Sequence, residues 1–286
     1  MKLYQLAEEF RKNYMTNRLR PSTMRGYNIN LNRHILPCLG KVNVSALNVN
    51  HLDELTEHLK QKNLCNRSVV YAHATLRKML SYALRRGYIW KTPYDVYDLP
   101  KVQKYKYTTL NTDQVRYILE HVSGDLRLPV VLALKYGMRR GEVLGLKWSD
   151  IDVVQSTVHV QRTRGVENGA EVITPCKTES GNRFILLAQN DLYSLFDGAP
   201  AEGYMVRYSP FMLDKAFKAY LAANNLPRIR FHDLRHSYAT YMLSCGVNPK
   251  IVSEVLGHSS VDVTLDIYSH PDVSMQFACL KAFGEG

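Results

Sequence analysis

Features that define several protein classes are missing from this 286-residue sequence. No apolar run approaches the roughly 18 residues that a membrane-spanning helix needs. The N-terminus carries Glu8 and Glu9 where a signal peptide would have its apolar core. The cysteines are scattered and form no CxxC pair, which is typical of reduced thiols in a cytosolic protein. They are Cys38, Cys65, Cys176, Cys245 and Cys279.

Patterns typical of metal sites are also scarce. His232 and His236 stand four residues apart on a predicted helix and could form a zinc pair, but no third ligand occurs at a characteristic spacing. A metal-dependent nuclease would need clustered carboxylates, and the sequence has no such cluster. We therefore expect no metal and no other cofactor.

Positive charge is abundant, and the net excess of it is confined to the first third of the chain. The formal net charge is +11. Residues 1–104 carry 18 Lys and Arg against 7 Asp and Glu, whereas residues 105–286 carry 19 of each. A basic domain joined to a neutral one suggests a module that holds a polyanion, attached to a second module. A merely solvated surface is the alternative, but it would mix the two signs more evenly.

Apolar spacing predicts helices throughout the first third, and the fourth of them, about residues 67–86, is the most informative. Val69, Leu76 and Leu80 fall on one side of this helix, as for a face that packs on a core. The opposite side is basic and carries one aromatic ring, which is typical of a helix that faces a nucleic-acid groove, although a solvated helix could look the same. These candidate DNA-binding residues are Arg67, Tyr71, Lys78, Ser81 and Arg85.

A change of composition marks a domain boundary. Residues 97–108 are polar and basic, contain Pro100 and lack a helical period, as expected of a linker that lets two modules close around a duplex. We therefore predict a helical domain over 1–96, a mixed domain over 109–270 and a tail over 271–286.

The mixed domain alternates helices with strands. Apolar residues predict a helix over 126–136 that ends at Gly137. After Asp152 the hydrophobic pattern changes to period two, which indicates strands. The predicted strands are about 157–161, 172–174 and 184–187, with turns around Gly165 and Gly169. The predicted fold class is mainly α with a small β-sheet (α+β): a helical bundle followed by a mixed domain.

Charged residues suited to chemistry occur between these elements. In G-M-R-R-G-E, Arg139 follows a predicted helix end, and Glu142 could orient its guanidinium, although this pair alone would more often be a surface ion pair. The polar turn P-C-K-T-E-S-G-N-R carries Lys177, the only lysine between Lys147 and Lys215. It is the candidate ammonium donor if the site needs one.

The segment from His232 to Tyr268 carries the remaining candidates. H-D-L-R-H-S-Y-A-T places His232 and Arg235 on one predicted helix. A second helix stops at Gly257, so His258 lies at a helix exit where its side chain can point into a cleft. Tyr268 follows an apolar run, near the end of the next short helix.

This set of residue types suits attack on a phosphodiester. A guanidinium presents a planar fork that matches two phosphate oxygens and stays charged at any working pH. Histidines can donate to the same oxygens and transfer protons near neutrality. A tyrosine hydroxyl, with an ordinary pKa of about 10, needs concentrated positive charge and a nearby base before it becomes a nucleophile.

Taken together, the chain resembles the tyrosine recombinases, also called the phage integrase family. The motifs that carry the resemblance are G-M-R-R-G-E-V-L-G-L-K-W-S-D-I, H-D-L-R-H-S-Y-A-T and L-G-H-S-S-V-D-V-T-L-D-I-Y, with a lysine on a hairpin between the first two. The resemblance implies a helical core-binding domain followed by a catalytic domain. Many integrases carry an extra N-terminal arm-binding domain, which we do not expect within these 286 residues, either by nature or because it was removed.

The family's roles then fall on matching positions. Arg139 and Arg235 would grip the non-bridging oxygens of the scissile phosphate, and Tyr268 would attack phosphorus to leave a 3′-phosphotyrosyl link. The remaining roles are general acid for Lys177, proton acceptor for His232 and phosphate hydrogen bonding for His258.

The resemblance also implies partners. These are double-stranded DNA attachment or crossover sites, further copies of the chain and accessory DNA-bending or excision factors. The copies would form a homo-tetramer on DNA through the C-terminal tail and exchange strands through a Holliday junction. A bacterial, nucleoid-associated location in the cytoplasm follows. The leading prediction is an integrase or transposase of a mobile element. The alternatives are a chromosome-dimer resolvase, a type IB topoisomerase and a non-catalytic DNA-binding protein.

Overall fold

A computed structural model describes residues 1–102, 108–167, 169–176, 178–196 and 202–267. The chain divides into two units, Met1–Tyr105 and Lys106–Gly286. This division falls within residues 97–108, and the assignment of that segment as a linker stays a prediction. Within the described residues, no helix is both long enough and apolar enough to cross a membrane.

The first unit is helical over its described residues, as the sequence predicts. Its segments are α1 (Leu3–Phe10), a π-helical segment (Arg11–Met15), α2 (Thr16–Arg18), α3 (Pro21–Asn30), a second π-helical segment (Leu31–Ile35), α4 (Leu36–Leu39), a 3₁₀ turn (Val44–Ala46), α5 (Val49–Gln61), α6 (Asn66–Arg85) and a 3₁₀ turn (Pro93–Asp95). The sequence predicts uninterrupted helices where the π segments occur. A π turn adds a residue to the helix, and in the first segment both Tyr14 and Met15 are buried.

The second unit combines helices with small sheets, which is the predicted α+β class. Its helices are α7 (Thr112–His121), α8 (Arg127–Leu134), α9 (Arg140–Gly145), α10 (Gln189–Phe196), α11 (Pro210–Ala223), α12 (Asp233–Ser244), α13 (Pro249–Leu256) and α14 (Val261–Ile267). Its strands are β1 (Ile151–Asp152), β2 (Thr157–Val160), β3 (Arg162–Glu167), β4 (Ala170–Pro175) and β5 (Arg183–Leu186). Short 3₁₀ turns occupy Gly124–Leu126, Trp148–Asp150 and Glu179–Gly181.

The described strands form a three-stranded antiparallel sheet in the order β1-β2-β5 and a separate β3–β4 hairpin. Val158 pairs with Ile185, and both face the core. The predicted turn around Gly165 is wrong, because Gly165 lies within β3 opposite Val172. The φ of Gly165 is not positive, and a Cβ at this position would meet no described atom within 4 Å. Gly165 therefore has ordinary strand geometry and is not required for a turn. Gly169, with φ +83°, lies at the turn as predicted.

Helix α9 packs closely on β3. A Cβ added to Gly145 would lie 3.0 Å from the Arg162 carbonyl oxygen and 3.1 Å from the Arg164 nitrogen. A Cβ at these distances is tighter than most real Cβ contacts, so a larger residue would require the backbone of β3 to shift by a few tenths of an ångström. The contact positions the neighbouring turn of α9, which carries Glu142.

Candidate active site

Two glycines in the left-handed conformation mark the ends of α8 and α13. Gly137 follows α8 with φ +65°, and Gly257 ends α13 with φ +66°. A Cβ at Gly137 would lie 2.6 Å from Leu256 Cδ2, whereas a Cβ at Gly257 would lie 2.4 Å from the Ser180 carbonyl oxygen. The predicted end of α13 at Gly257 is confirmed, whereas α8 ends at Leu134, two residues before the predicted position. The end of α8 therefore packs against the last turn of α13, and the end of α13 packs against the turn before β5.

Glu142 is buried, with 1% of its surface exposed, and it bridges two arginines. Its Oε1 accepts a hydrogen bond from Arg139 Nη1 at 2.7 Å, and its Oε2 accepts one from the Arg139 backbone nitrogen at 2.9 Å. On the other side, Arg183 Nη2 donates to Oε2 at 3.0 Å. Burial alone would raise the pKa of Glu142, but Arg183 and Arg139 outweigh it and hold that pKa below its ordinary value. The surface ion pair that the sequence alone favours is therefore wrong.

Arg183, at the start of β5, is a residue of this cluster that sequence reasoning missed. Its side chain is 8% exposed. Its Nε donates to the Val255 carbonyl oxygen at 2.6 Å, and its Nη1 donates to the Gly181 carbonyl oxygen at 3.2 Å. The signal in the sequence was weak: an arginine at the end of a polar turn, 41 residues from Glu142.

Arg235 lies in the first turn of α12 and is 3% exposed. Its Nη1 donates to the Gly137 carbonyl oxygen at 2.7 Å. Its Nη2 is buried and has no hydrogen-bond partner among the described residues. Burial, with nearby Arg139 adding to it, lowers the pKa of Arg235 to about 9, so the guanidinium is still charged at pH 7. An anion would both accept from this unused donor and compensate the buried positive charge.

The two predicted histidines flank these arginines. His232 is the N-cap of α12, and burial together with Arg235 lowers its pKa. His258 follows Gly257, and its Nδ1 lies 2.8 Å from Thr264 Oγ1. Burial, then Arg235 and Arg139, lowers the pKa of His258 to about 3. Both imidazoles are therefore neutral near pH 7 in the absence of an anion.

The structure thus brings Arg139, His232, Arg235 and His258 to one place, with Glu142 in support. Arg139 Nη2 donates to the Gly257 carbonyl oxygen at 2.8 Å, which ties the arginine to the residue before His258. Lys177 and Tyr268 lie outside the described residues. Within the described residues, no group of three or more His, Cys, Asp or Glu side chains could hold a metal ion.

In the first unit, the amphipathic character predicted for α6 is confirmed. Val69, Leu76, Leu80 and Ala83 are fully buried. On the other side Arg67, Tyr71 and Arg85 are exposed, and Lys78 and Ser81 are half-buried. The role of this side in DNA binding stays a prediction.

This side of α6 meets an aromatic residue that sequence reasoning did not assign to it. Lys78 Nζ and Arg85 Cζ lie 5.7 and 5.8 Å from the ring centroid of Tyr14, and Arg18 Cζ lies 5.7 Å from it. Three cations therefore surround one ring at cation–π distance. The Ser81 hydroxyl donates to the Arg77 carbonyl oxygen at 2.8 Å, so its proton is already used within the helix.

Comparison with known proteins decides the family. The sequence model described as "Phage integrase family" matches residues 108–275, and the one described as "Phage integrase, N-terminal SAM-like domain" matches residues 2–60. This chain belongs to the phage integrase family. As a member of that family of DNA recombinases, it has a helical N-terminal domain followed by a catalytic domain.

Relatives and solved structures agree with this assignment. This chain is 28% identical over 254 residues to tyrosine recombinase XerD of Rickettsia bellii (strain RML369-C). The match covers 81% of this chain and 83% of that protein. Its fold is similar to that of the Tn1549 transposon integrase in complex with transposon right end DNA, with a TM-score of 0.83, 19% identity and coverage of 99% and 100% of the two chains. It is also similar to a lambda integrase tetramer bound to a Holliday junction, with a TM-score of 0.68, 17% identity and coverage of 91% and 78% of the two chains.

Proposed function

We propose that this chain is a site-specific DNA recombinase that cuts and rejoins DNA through a 3′-phosphotyrosyl intermediate. The observation that carries the proposal is the buried Arg235, whose Nη2 has no acceptor among the described residues. A phosphate oxygen would satisfy that donor, and the guanidinium fork suits phosphate geometry. Arg139 stands beside it as a second cation, held by Glu142 and the Gly257 carbonyl. This arrangement would stabilise charge that develops on the non-bridging oxygens.

In the proposed reaction, the phenolic oxygen of Tyr268 forms a bond to phosphorus while the bond from phosphorus to the 5′ oxygen breaks. The proton of Tyr268 passes to His232. Because burial and Arg235 lower the pKa of His232, its imidazole is neutral near pH 7 and can accept that proton. Lys177 gives a proton to the departing 5′ oxygen.

His258 has a separate proposed role, as a hydrogen-bond donor to the phosphate. In this role Nδ1 accepts a hydrogen bond from the Thr264 hydroxyl, whose Oγ1 lies 2.8 Å away, so that Nε2 carries the proton and donates to the substrate. Because burial lowers the pKa of His258 to about 3, it would donate as a neutral imidazole.

Each cut exchanges one phosphate ester for another. The energy of the DNA bond is kept in the phosphotyrosine, and attack by a 5′-hydroxyl reverses the reaction. Religation therefore needs neither ATP nor a metal ion in this proposal.

We further propose that the protein acts as four protomers on two duplexes, through a Holliday junction, as an integrase of a mobile element in a bacterial cell. The basic residues of 1–96 would clamp DNA together with the catalytic domain at 109–270, joined by the linker at 97–108. The tail at 271–286, outside the described residues, would dock on a neighbouring protomer. The lambda integrase tetramer on a Holliday junction, whose fold this chain shares, supports that assembly. Accessory DNA-bending or excision factors are expected partners.

A covalent-trap experiment tests this function. The protein is incubated in EDTA with genomic DNA from its source and denatured, and the ends of the protein-linked DNA are sequenced beside those from a Tyr268→Phe control. We expect adducts at one paired inverted sequence that vanish in the control. A site at the border of a mobile element indicates an integrase, and a single chromosomal site indicates a resolvase. Adducts spread over many sequences would indicate a topoisomerase, and tight binding without adducts would indicate a non-catalytic DNA-binding protein.

A further inference from the structure

Arg183 joins three separate parts of the second unit. Its Nη1 and Nη2 face the two carboxylate oxygens of Glu142 on α9, at 3.3 and 3.0 Å. Its Nε holds the Val255 carbonyl in the last turn of α13, and Nη1 also holds the Gly181 carbonyl in the turn before β5. One guanidinium therefore ties a helix start, a helix end and a strand start together.

These contacts close a ring of hydrogen bonds around Arg139. Glu142 accepts from Arg139 Nη1, and Arg139 Nη2 donates to the Gly257 carbonyl oxygen. Gly257 lies two residues after Val255, which accepts from Arg183. The planar fork of Arg139 is thus fixed on both edges, and the chain segment that leads into His258 is fixed with it. Removal of Arg183 opens this ring at two points.

The exposure of the two arginines separates their roles. The Arg139 side chain is 34% exposed and is accessible to a ligand, whereas that of Arg183 is 8% exposed and has most of its donors in use. Arg183 therefore has little capacity left for a direct contact with a substrate.

We propose that Arg183 is a positioning residue for the phosphate site: it acts through Glu142 and the end of α13 to aim Arg139 and His258 at the scissile phosphate. This inference rests on the proposed function. It assigns Arg183 a role in the rate of strand cleavage rather than in DNA affinity, because the geometry that it controls matters most in the transition state.

The chemistry of the contacts predicts that a lysine cannot replace Arg183. A lysine ammonium keeps the positive charge, but it is a single point on a flexible stem. It cannot reach both oxygens of Glu142 together with the Val255 and Gly181 carbonyls. A role in positioning is therefore lost in Arg183→Lys, whereas a role in charge alone is kept.

The test compares Arg183→Gln and Arg183→Lys with a matched control, Arg164→Gln. Arg164 is similarly buried, binds Glu171 through Nε and Nη2, and donates to a backbone carbonyl at Val206, but none of these partners belongs to the phosphate cluster. The substrate is the duplex recovered from adducts of the unaltered protein. Single-turnover formation of the covalent adduct gives the rate, a gel shift gives Kd, and urea unfolding gives the folded fraction.

We expect both Arg183 variants to form adduct about 10- to 100-fold more slowly, the usual effect of losing a partner that orients a ligand-binding side chain. Kd should stay within about twofold, and Arg164→Gln should react at nearly the unaltered rate. Arg183→Gln combined with Glu142→Gln should be no slower than the worse single variant, because both act through one contact. The double variant also removes the buried carboxylate, which Arg183→Gln alone would leave with Arg139 as its remaining cationic partner, so it covers the case in which Arg183→Gln fails to fold.

Two results would overturn the assignment: a rate in either Arg183 variant equal to that of the unaltered protein, or fully multiplicative effects in the double variant. If the unaltered protein forms no adduct, the proposed function fails and the role of Arg183 fails with it. If the unaltered protein reacts and the Arg183 variants react equally well, only the positioning role is wrong.

Discussion

Replacement of Glu142 by glutamine should destabilise the second unit strongly, although it changes only one oxygen to an amide nitrogen. Loss of one partner from a buried ion pair typically costs about 3–5 kcal/mol, since a charge is left without compensation. Here the glutamine keeps one acceptor oxygen, and one of the two arginines, Arg139, is 34% exposed and can be solvated. We therefore expect a loss near the lower limit, about 3 kcal/mol in the free energy of unfolding. At a typical urea dependence of about 2 kcal/mol per molar, the midpoint falls by about 1.5 M.

Tryptophan fluorescence can measure this loss. Trp148 is half-buried against the core of the second unit, and Trp90, the other tryptophan, is 94% exposed in the first unit. A Trp90→Phe background therefore leaves one probe that reports on the second unit. Glu171→Gln is the matched control, because Glu171 also pairs with a buried arginine but is itself half-exposed. Its midpoint should move far less.

The pH dependence gives an independent check. Arg183 and Arg139 hold the pKa of Glu142 below its ordinary value, so its ionised form is favoured in the folded state. The stability that it contributes is present above the unfolded pKa of about 4.3 and is lost as pH falls through the lower folded value. The difference between the unaltered protein and Glu142→Gln should therefore shrink below about pH 4. A difference below about 1 kcal/mol at pH 7, or one that does not change with pH, would refute the buried-bridge account.

Three further predictions concern other parts of the chain. In urea unfolding, Gly257→Ala should destabilise the second unit more than Gly169→Ala. Both glycines have positive φ, but of the two only Gly257 would place the new Cβ against a backbone atom, the Ser180 carbonyl oxygen at 2.4 Å. Equal losses would contradict that. Burial lowers the pKa of His73 to about 4, so the unfolded state binds more protons than the folded state. The free energy of unfolding should therefore fall as the pH is lowered from 6.5 to 4, and His73→Gln should reduce the slope of that fall. An unchanged slope would argue against a buried, neutral His73. DNA affinity should fall steeply with salt, and Arg85→Gln should reduce the slope of log K against log salt by about 1, as a fluorescence-anisotropy titration would detect. If Arg85→Gln leaves the slope unchanged, Arg85 does not contact a DNA phosphate.

Local signals made part of this fold predictable. Asn248 and Pro249 mark the start of α13 and Gly257 its end, and the structure has that helix at Pro249–Leu256. Helix α6 was predicted within one residue at each end. Such signals act over a few residues, so one sequence suffices to find them. The π-helical segments were missed because a single extra residue in a turn barely alters the apolar pattern.

Four residues of the candidate site were predictable, but the network around them was not. The roles of Lys177 and Tyr268, which lie outside the described residues, stay predictions. Arg139, His232, Arg235 and His258 were found through their motifs, and the structure brings them together. The burial of Glu142 and the part played by Arg183 were not predictable, because their contact joins residues 41 apart that share no periodic pattern. Gly165 illustrates the opposite error: a glycine read as a turn signal lies within a strand, where pairing with Val172 decides its conformation.

The most direct test of the central claim is to identify the residue that carries DNA. The adduct from the covalent trap is digested with nuclease and protease, and the peptide that retains a nucleotide remnant is sequenced by mass spectrometry. The account predicts a 3′-linked remnant on Tyr268, lost in Tyr268→Phe while that variant still shifts DNA in a gel. A remnant on any other residue, or an adduct that survives in Tyr268→Phe, would contradict it.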